Sequence, residues 1–501
     1  MAHHARDIIQ QRRSRERGAI LKSAPLQVAL TYPSPYNVGM SSLGFQTIYR
    51  ELNGREDTVA ERAFLPDDIA QAQQDRDPVL TYESLRPIGD FAVVALSVAY
   101  ENELAGVIQV LELAGIPALA SERDPRRHPF ILMGGPLTFS NPTPLALFAD
   151  AVIMGEAEDV IHTVMDTLGT TQTHAQRLDA LAAIVHVWVP TRHNETLAAI
   201  AKCERLPAFS QILTPDTELA DMFLIESERG CSRSCTYCVM RRSTNGGMRL
   251  TPADDILALV PEGAKKVGLV GAAVSDHPKI VDIVNTLADR GLGVGLSSLR
   301  PDRLTDPFVA ALKRGGYRTL TTAMDGPSAR LRMQLERRAK VEHLERCADL
   351  ARAHAMKTLK LYLMIGLPSE TDEDIEECIT FVTALSKRTS LALGIAPFVS
   401  KRNTPLDKHP WAGIKVVEGR LERLRKGLRG RADVRPTSAR WAWVEYVLAQ
   451  GGAREGLAVH HAVRLGNRFA DYVTAFEAIG ITEQSKRPRR ALGVLRDEST
   501  P

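Results

Sequence analysis

The chain has 501 residues, enough for two or three domains with separate cores. With 63 basic against 60 acidic residues its formal charge is +3, so overall charge gives no case for a nucleic-acid partner. A hydrophobic content of 44% with 5% aromatic fits a folded α/β protein, and no run approaches the ~20 apolar residues of a spanning helix.

The opening stretch, MAHHARDIIQQRRSRERGAILK, is polar and Arg-rich and lacks the apolar segment of a secretory signal. A cytoplasmic location is therefore expected, with residues 1–25 as an extension before the first domain. From 26 to 170 apolar runs alternate with amphipathic stretches. QVALTY (27–32), FAVVALSV (91–98), FILMGG (130–135) and DAVIMG (150–155) predict strands; 41–52 and 102–115 predict helices. Strands separated by helices at this interval predict a parallel, Rossmann-like sheet. A ligand would lie at the carboxyl ends of its strands. The loops there contain Tyr36, Asn37, Gly39 and Met40, then Ser97, then Gly134 and Gly135.

Residues 171–220 form a connecting region with short apolar segments. A second alternation over 221–400 starts with a strand at 222–230. Further strands follow near 267–271, 293–298, 319–323, 359–366 and 391–398, with helices between them. About six β/α units fit a partial barrel with its active groups at the C-terminal strand ends. Residues 401–501 predict a small helical region whose Arg-rich face at 416–430 reads as solvated rather than RNA-binding.

Half of the six cysteines lie in RGCSRSCTYCVM, where Cys231, Cys235 and Cys238 form a C-x3-C-x2-C array. Three thiolates at this spacing can hold three corners of a four-iron four-sulfur cube and leave one iron open. The alternatives are a zinc knuckle or a disulfide. Zinc would want a fourth Cys or His at its own spacing, and the nearest downstream histidine is His277. Cys203, Cys347 and Cys378 stand singly and read as structural thiols. A reduced compartment suits thiolate ligands.

The array, with Tyr237 before its last thiol, resembles the signature of the radical S-adenosylmethionine (SAM) superfamily. That resemblance implies that the open iron chelates SAM and that an external donor such as flavodoxin or ferredoxin supplies the electron. It also implies SAM contacts from Gly271, Ser298, Asp325 and Gly366. The usual Gly-Gly-Glu turn reads Gly271-Ala272-Ala273, without its acid; Asp276 is one substitute, with a helix N-cap before PKIVDIV the other and at least equal reading of it. Asp325 stands where relatives usually have Glu. LMIGLPSET (363–371) matches the segment that lies against adenine, with Glu370 expected to hold that turn. Arg330, Arg332, Arg337 and Arg338 form a cluster suited to a substrate carboxylate or phosphate, though a solvated helix face accounts for at least half of them.

Residues 26–170 resemble the cobalamin-binding-type domain of one branch of this superfamily, through PYNVGMSSLGFQ, the Gly-Gly-Pro turn and GEAEDVI (155–161). The D-x-H-x-x-G loop is absent, so cobalamin would bind without a protein His, its lower side facing Tyr36, Asn37 or Met40. A ligand-free relic is the other reading of the domain. The activity implied is radical hydrogen abstraction from a small-molecule or lipid substrate, in the methyltransferase form by methylation of an unactivated carbon. The alternatives are a cobalamin-independent cyclisation, oxidation or carbon–carbon coupling, and a non-catalytic iron–sulfur sensor. RNA methylthiotransferases carry an N-terminal cysteine set, whereas the first cysteine here is Cys203. No catalytic residue beyond the cofactor ligands is identified.

Overall fold

The computed structural model describes residues 3–171, 173–194, 196–240, 247–297 and 299–483. These residues divide into two compact units. The first comprises the chain up to Asp221 together with Gln450–Thr482, and the second Met222–Ala449 with Glu483. The expected connector 171–220 thus lies within the first unit. The expected helical region 401–501 is shared between the two.

The first unit is built on a sheet of six strands: β1 (Leu26–Tyr32), β2 (Thr58–Phe64), β3 (Val93–Ser97), β4 (Phe130–Gly134), β5 (Ala151–Ile153) and β6 (Val187–Trp188). Their order is β2-β1-β3-β4-β5-β6, parallel except for β6, which runs antiparallel to β5. Every residue of β2 is buried, including Glu61 and Arg62, so this strand lacks the apolar run that marks β3 and β4 in the sequence. The helices Leu43–Asn53 and Glu103–Leu113 fall within two residues of their expected bounds. Ser42 caps the first of them by accepting from the Phe45 N–H. The helix Ala453–Leu465 packs within this unit, where Gly456 lies against the Pro144 carbonyl and Arg464 reaches Glu112 at 3.2 Å.

In the second unit, β7 (Met222–Glu226) leads through β8 (Glu228–Arg229) into the cysteine loop, and β9 (Arg249–Leu250) returns antiparallel to β8. Six more strands follow: β10 (Lys266–Val270), β11 (Gly293–Leu296), β12 (Thr319–Asp325), β13 (Thr358–Ile365), β14 (Leu391–Pro397) and β15 (Ala432–Pro436). They form two parallel sheets, β11-β10-β7 and β12-β13-β14-β15. The six expected barrel strands are all present, and β15 adds a seventh. Between β11 and β12 the Tyr317 hydroxyl substitutes for a ladder, accepting from the Leu296 N–H at 2.6 Å and donating to the Leu296 carbonyl at 3.0 Å. Alternation along β13 buries Leu359, Leu361, Leu363 and Ile365, while Lys360 and Tyr362 lie on the more open face.

Candidate functional site

The cysteine loop is held by backbone, independently of its thiols. The Thr236 N–H donates to the Leu335 carbonyl and the Thr236 carbonyl accepts from Leu406. Tyr237 packs into an apolar cluster of Leu331, Leu335, Leu367 and Phe398, edged by Met364 and Leu406. The packing therefore brings the loop against the 363–371 segment, two motifs separated by more than a hundred positions in the chain.

The donor set fits an iron–sulfur cluster better than the two alternatives. All six cysteines are free thiols, so no disulfide forms. His277 is buried and committed, one ring nitrogen meeting the Thr251 carbonyl at 2.9 Å and the other the Lys279 N–H. Among the described residues no three His, Cys, Asp or Glu side chains gather tightly enough for a single metal ion. A four-iron cube takes its thiolates at separate corners. Burial raises the Cys231 thiol above its usual range and pushes Cys238 up to about 11, with the neighbouring thiols adding to both. The backbone N–H groups of Arg233 and Met240 donate to the Cys231 and Cys238 sulfurs and oppose that rise. Loading a cluster would release these protons.

Asp325 ends β12 with φ +62°, where the register with β13 shifts. Its carboxylate is paired with Arg337 and hydrogen-bonded by Tyr237, while burial raises its pKa against both. Arg337 also donates to the Cys235 sulfur. Asp325 is thus held against Tyr237 and Arg337, beside the cysteine loop. The Arg cluster disperses accordingly. Arg330 pairs with Asp374, and Arg332 is buried and donates to the carbonyls of Gly326, Pro327 and Ala339.

The two glycines expected to contact SAM, Gly271 after β10 and Gly366 after β13, have different physical roles. A Cβ on Gly271 would stand 2.1 Å from the Glu228 Oε1, so this glycine makes room for a protein carboxylate. Gly366 has φ +77°, which a side chain at that position would strain. Its missing Cβ faces Ala412 and Val417. Glu370 holds the turn as expected, accepting from the N–H groups of Gly366 and Leu367 and pairing with Arg420 at 2.7 Å. Asp276, the substitute considered for the missing acid, is engaged by Arg300 at 2.6 Å and by Arg303 and Arg233. Ser298 lies outside the described residues.

In the first unit the strand-end loops depart from expectation. Tyr36 is 0% exposed and Met40 2%. The Tyr36 hydroxyl donates to Glu16 at 2.6 Å and lies 3.0 Å from Thr214 Oγ1, its ring stacks on Tyr82, and the Met40 sulfur lies 3.4 Å from Arg62. Neither side chain faces an open crevice, since both complete the core around a buried cation. Gly39 is equally internal, its Cβ position 2.6 Å from the Phe64 ring. Asn37 is partly exposed, as are Ser97, Gly134 and Gly135, and Val38 and Tyr100 lie at the surface.

Comparison with known proteins agrees with this geometry. The model of the N-terminal domain of radical SAM proteins matches residues 44–190, and that of the radical SAM superfamily matches 225–382. An uncharacterized protein of Methanocaldococcus jannaschii is 27% identical over 419 residues, covering 80% of this chain and 84% of the relative. The tRNA-2-methylthio-N(6)-dimethylallyladenosine synthase of Bacillus licheniformis is 24% identical over 272 residues, and the ribosomal protein uS12 methylthiotransferase RimO of Dechloromonas aromatica 23% over 253. The chain spans about half of these two relatives, 52% and 54%. Among solved structures, apo OxsB, a cobalamin-dependent SAM radical enzyme, superposes with a TM-score of 0.51 at 13% identity, over 74% of this chain and 53% of OxsB. With both domain models matching in chain order, and the cysteine triad carried on a parallel β/α unit, the chain belongs to the radical SAM superfamily.

Proposed function

We propose that the chain cleaves SAM at a cluster held by Cys231, Cys235 and Cys238 and directs the resulting radical at an unactivated carbon–hydrogen bond. The observation that carries this reading is the convergence of the thiols, Tyr237, the Asp325–Arg337 pair and the 363–371 turn. The bound cluster supplies the electron that breaks the C5′–S bond, delivered to it by a flavodoxin- or ferredoxin-type donor. The chain's own groups fix the rest. Arg337 and the two backbone N–H groups offset negative charge on sulfur, and the apolar packing of Tyr237 excludes water. The open face of β13 offers Lys360, held 4.6 Å over the Tyr362 ring, to a small-molecule or lipid substrate. The Gly271–Ala273 turn lacks the usual acid, which gives the sensor alternative slight weight, and the Glu228 carboxylate beside that turn counts against it. Among the described residues no helix is long and apolar enough to cross a membrane.

The methyltransferase form of this reading adds a corrin at the strand ends of the first unit. The residues that fit it are Asn37, Val38, Ser97, Tyr100 and the Gly134-Gly135 turn, which are open to solvent to differing degrees. Tyr36 and Met40 do not fit, and their burial favours a second reading in which this unit holds no corrin and the radical carries out a cyclisation, an oxidation or a coupling. Gel filtration of anaerobic, reduced protein after incubation with hydroxocobalamin separates the two. The corrin form predicts co-eluting cobalamin with base-off spectra and no protein nitrogen coupling in the Co(II) state. Cobalamin-free protein supports the second reading.

A further inference from the structure

The open face of the sheet β12-β13-β14-β15 carries few charges, and they do not balance. In register across it lie Thr321, Lys360, Ala392 and Asp433, and two residues further along each strand Ala323, Tyr362, Gly394 and Arg435. Asp433 and Arg435 satisfy each other at 2.6 Å. Lys360 has no carboxylate partner among the described residues, and its ammonium rests 4.6 Å from the centroid of the Tyr362 ring. Gly394 makes room for that ring. A Cβ there would stand 2.6 Å from two of its carbons, so the missing side chain lets the ring lie across β14 with the residue 45% exposed. Beyond Lys360 the same face of β12, β13 and β14 presents Ala323, Tyr362, Met364, Gly394 and Ala396. It is uncharged as far as Asp325, whose charge is met by Arg337.

We propose that the substrate carries an acidic group, a carboxylate or a phosphate monoester, that binds Lys360, and that its reacting carbon belongs to an uncharged part lying over Tyr362 toward the strand ends. The proposal deepens the SAM-cleaving reading above and rests on it. A strand rises ~3.3 Å per residue, so Lys360 stands roughly 20 Å along β13 from the Gly366 turn, away from the segment that resembles the adenine contact. Its charge is therefore available to substrate rather than to SAM. An anion supplies acceptors for the three ammonium donors, and the Tyr362 ring on one side of the ammonium keeps part of the pair from water. A cationic substrate group finds no equivalent, because Asp433 on this face is already engaged by Arg435. A second charge on the reacting part would lose hydration against the uncharged stretch without a partner.

The test reads Lys360 itself, by the rate at which an amine-acylating reagent labels it in anaerobically reconstituted full-length protein, measured by peptide mass spectrometry without turnover. Decanoate and decyl phosphate are the acidic probes, and decanol is their neutral counterpart. Phosphatidylcholine vesicles with and without phosphatidic acid present the same acid as a lipid headgroup. An acidic probe should slow labelling of Lys360 by roughly fivefold or more, and its neutral counterpart by less than about twofold. Protection by the soluble acids assigns a small-molecule substrate; protection by phosphatidic acid vesicles alone assigns a lipid. Equilibrium binding is the second readout. Wild type should bind the better acidic probe roughly tenfold more tightly than its neutral counterpart, and Lys360→Met should lose that margin. The proposal is overturned if no acid protects Lys360 more than its neutral counterpart does, or if Lys360→Met keeps the margin. Wild type that loads its cluster and releases no 5′-deoxyadenosine contradicts the functional reading instead, whichever way the labelling falls.

Discussion

Replacing Cys231, Cys235 and Cys238 together by Ala removes the brown iron–sulfur chromophore and SAM cleavage and leaves the fold intact. The separation of these effects follows from how the loop is held. Its anchors at Thr236 are backbone hydrogen bonds to Leu335 and Leu406, and its apolar contact is Tyr237. Of the three thiols only Cys235 is buried, so the truncations leave little cavity. Iron and sulfide should fall to background while the far-ultraviolet circular dichroism and thermal midpoint stay near wild type. A triple variant with full iron and sulfide contradicts the assignment.

Arg62→Leu destabilises the first unit by about 3–5 kcal/mol, the cost expected when one partner of a buried ion network is removed. Arg62 is completely buried between Glu16 and Glu83, with contacts of 2.7 Å to each, and its guanidinium lies 5.3 Å from the Tyr49 ring centroid. Without it two carboxylates remain buried without their cation. Burial pushes Glu16 up, yet Arg62 and Tyr36 hold it below its ordinary range in the wild type. That part of wild-type stability is present above the unfolded-state pKa near 4.5 and is lost as pH falls. In the variant the same carboxylate loses its cation and its pKa rises, so its penalty grows as pH rises through the carboxylate range. The gap between the two proteins should therefore narrow on acidification from pH 7 to 5. Urea unfolding at both pH values checks this, and a loss below about 1 kcal/mol at pH 7 would show that the network contributes little.

The parts of the chain that were legible in sequence are those whose chemistry is local. The cysteine array, the apolar strands β3, β4 and β13, and the Gly366–Glu370 turn each carry their signal within a few residues. β2 was not legible because Glu61 and Arg62 interrupt it. Their partners, Thr81, Ser84, Glu16 and Glu83, lie elsewhere in the chain. β15 is short and alternates with exposed Asp433 and Arg435, so its strand character comes from pairing with β14. The burial of Tyr36 and Met40 was not legible for a related reason: groups that enclose them, Thr214 and Arg62 among them, lie elsewhere in the chain. Arg337 was one of four clustered arginines, and only the fold singles it out beside Cys235. Glu228 sits in IESERG between other charged residues, and what distinguishes it is burial without a cationic partner among the described residues.

The most direct test of the central claim is electron paramagnetic resonance of anaerobically reconstituted, reduced protein with and without SAM, paired with quantification of 5′-deoxyadenosine. A cluster with one open iron predicts about four irons per chain, a reduced-cluster signal that changes shape when SAM is added, and 5′-deoxyadenosine released under turnover. A signal indifferent to SAM with no 5′-deoxyadenosine, or a chain that loads only about one metal ion, would contradict it.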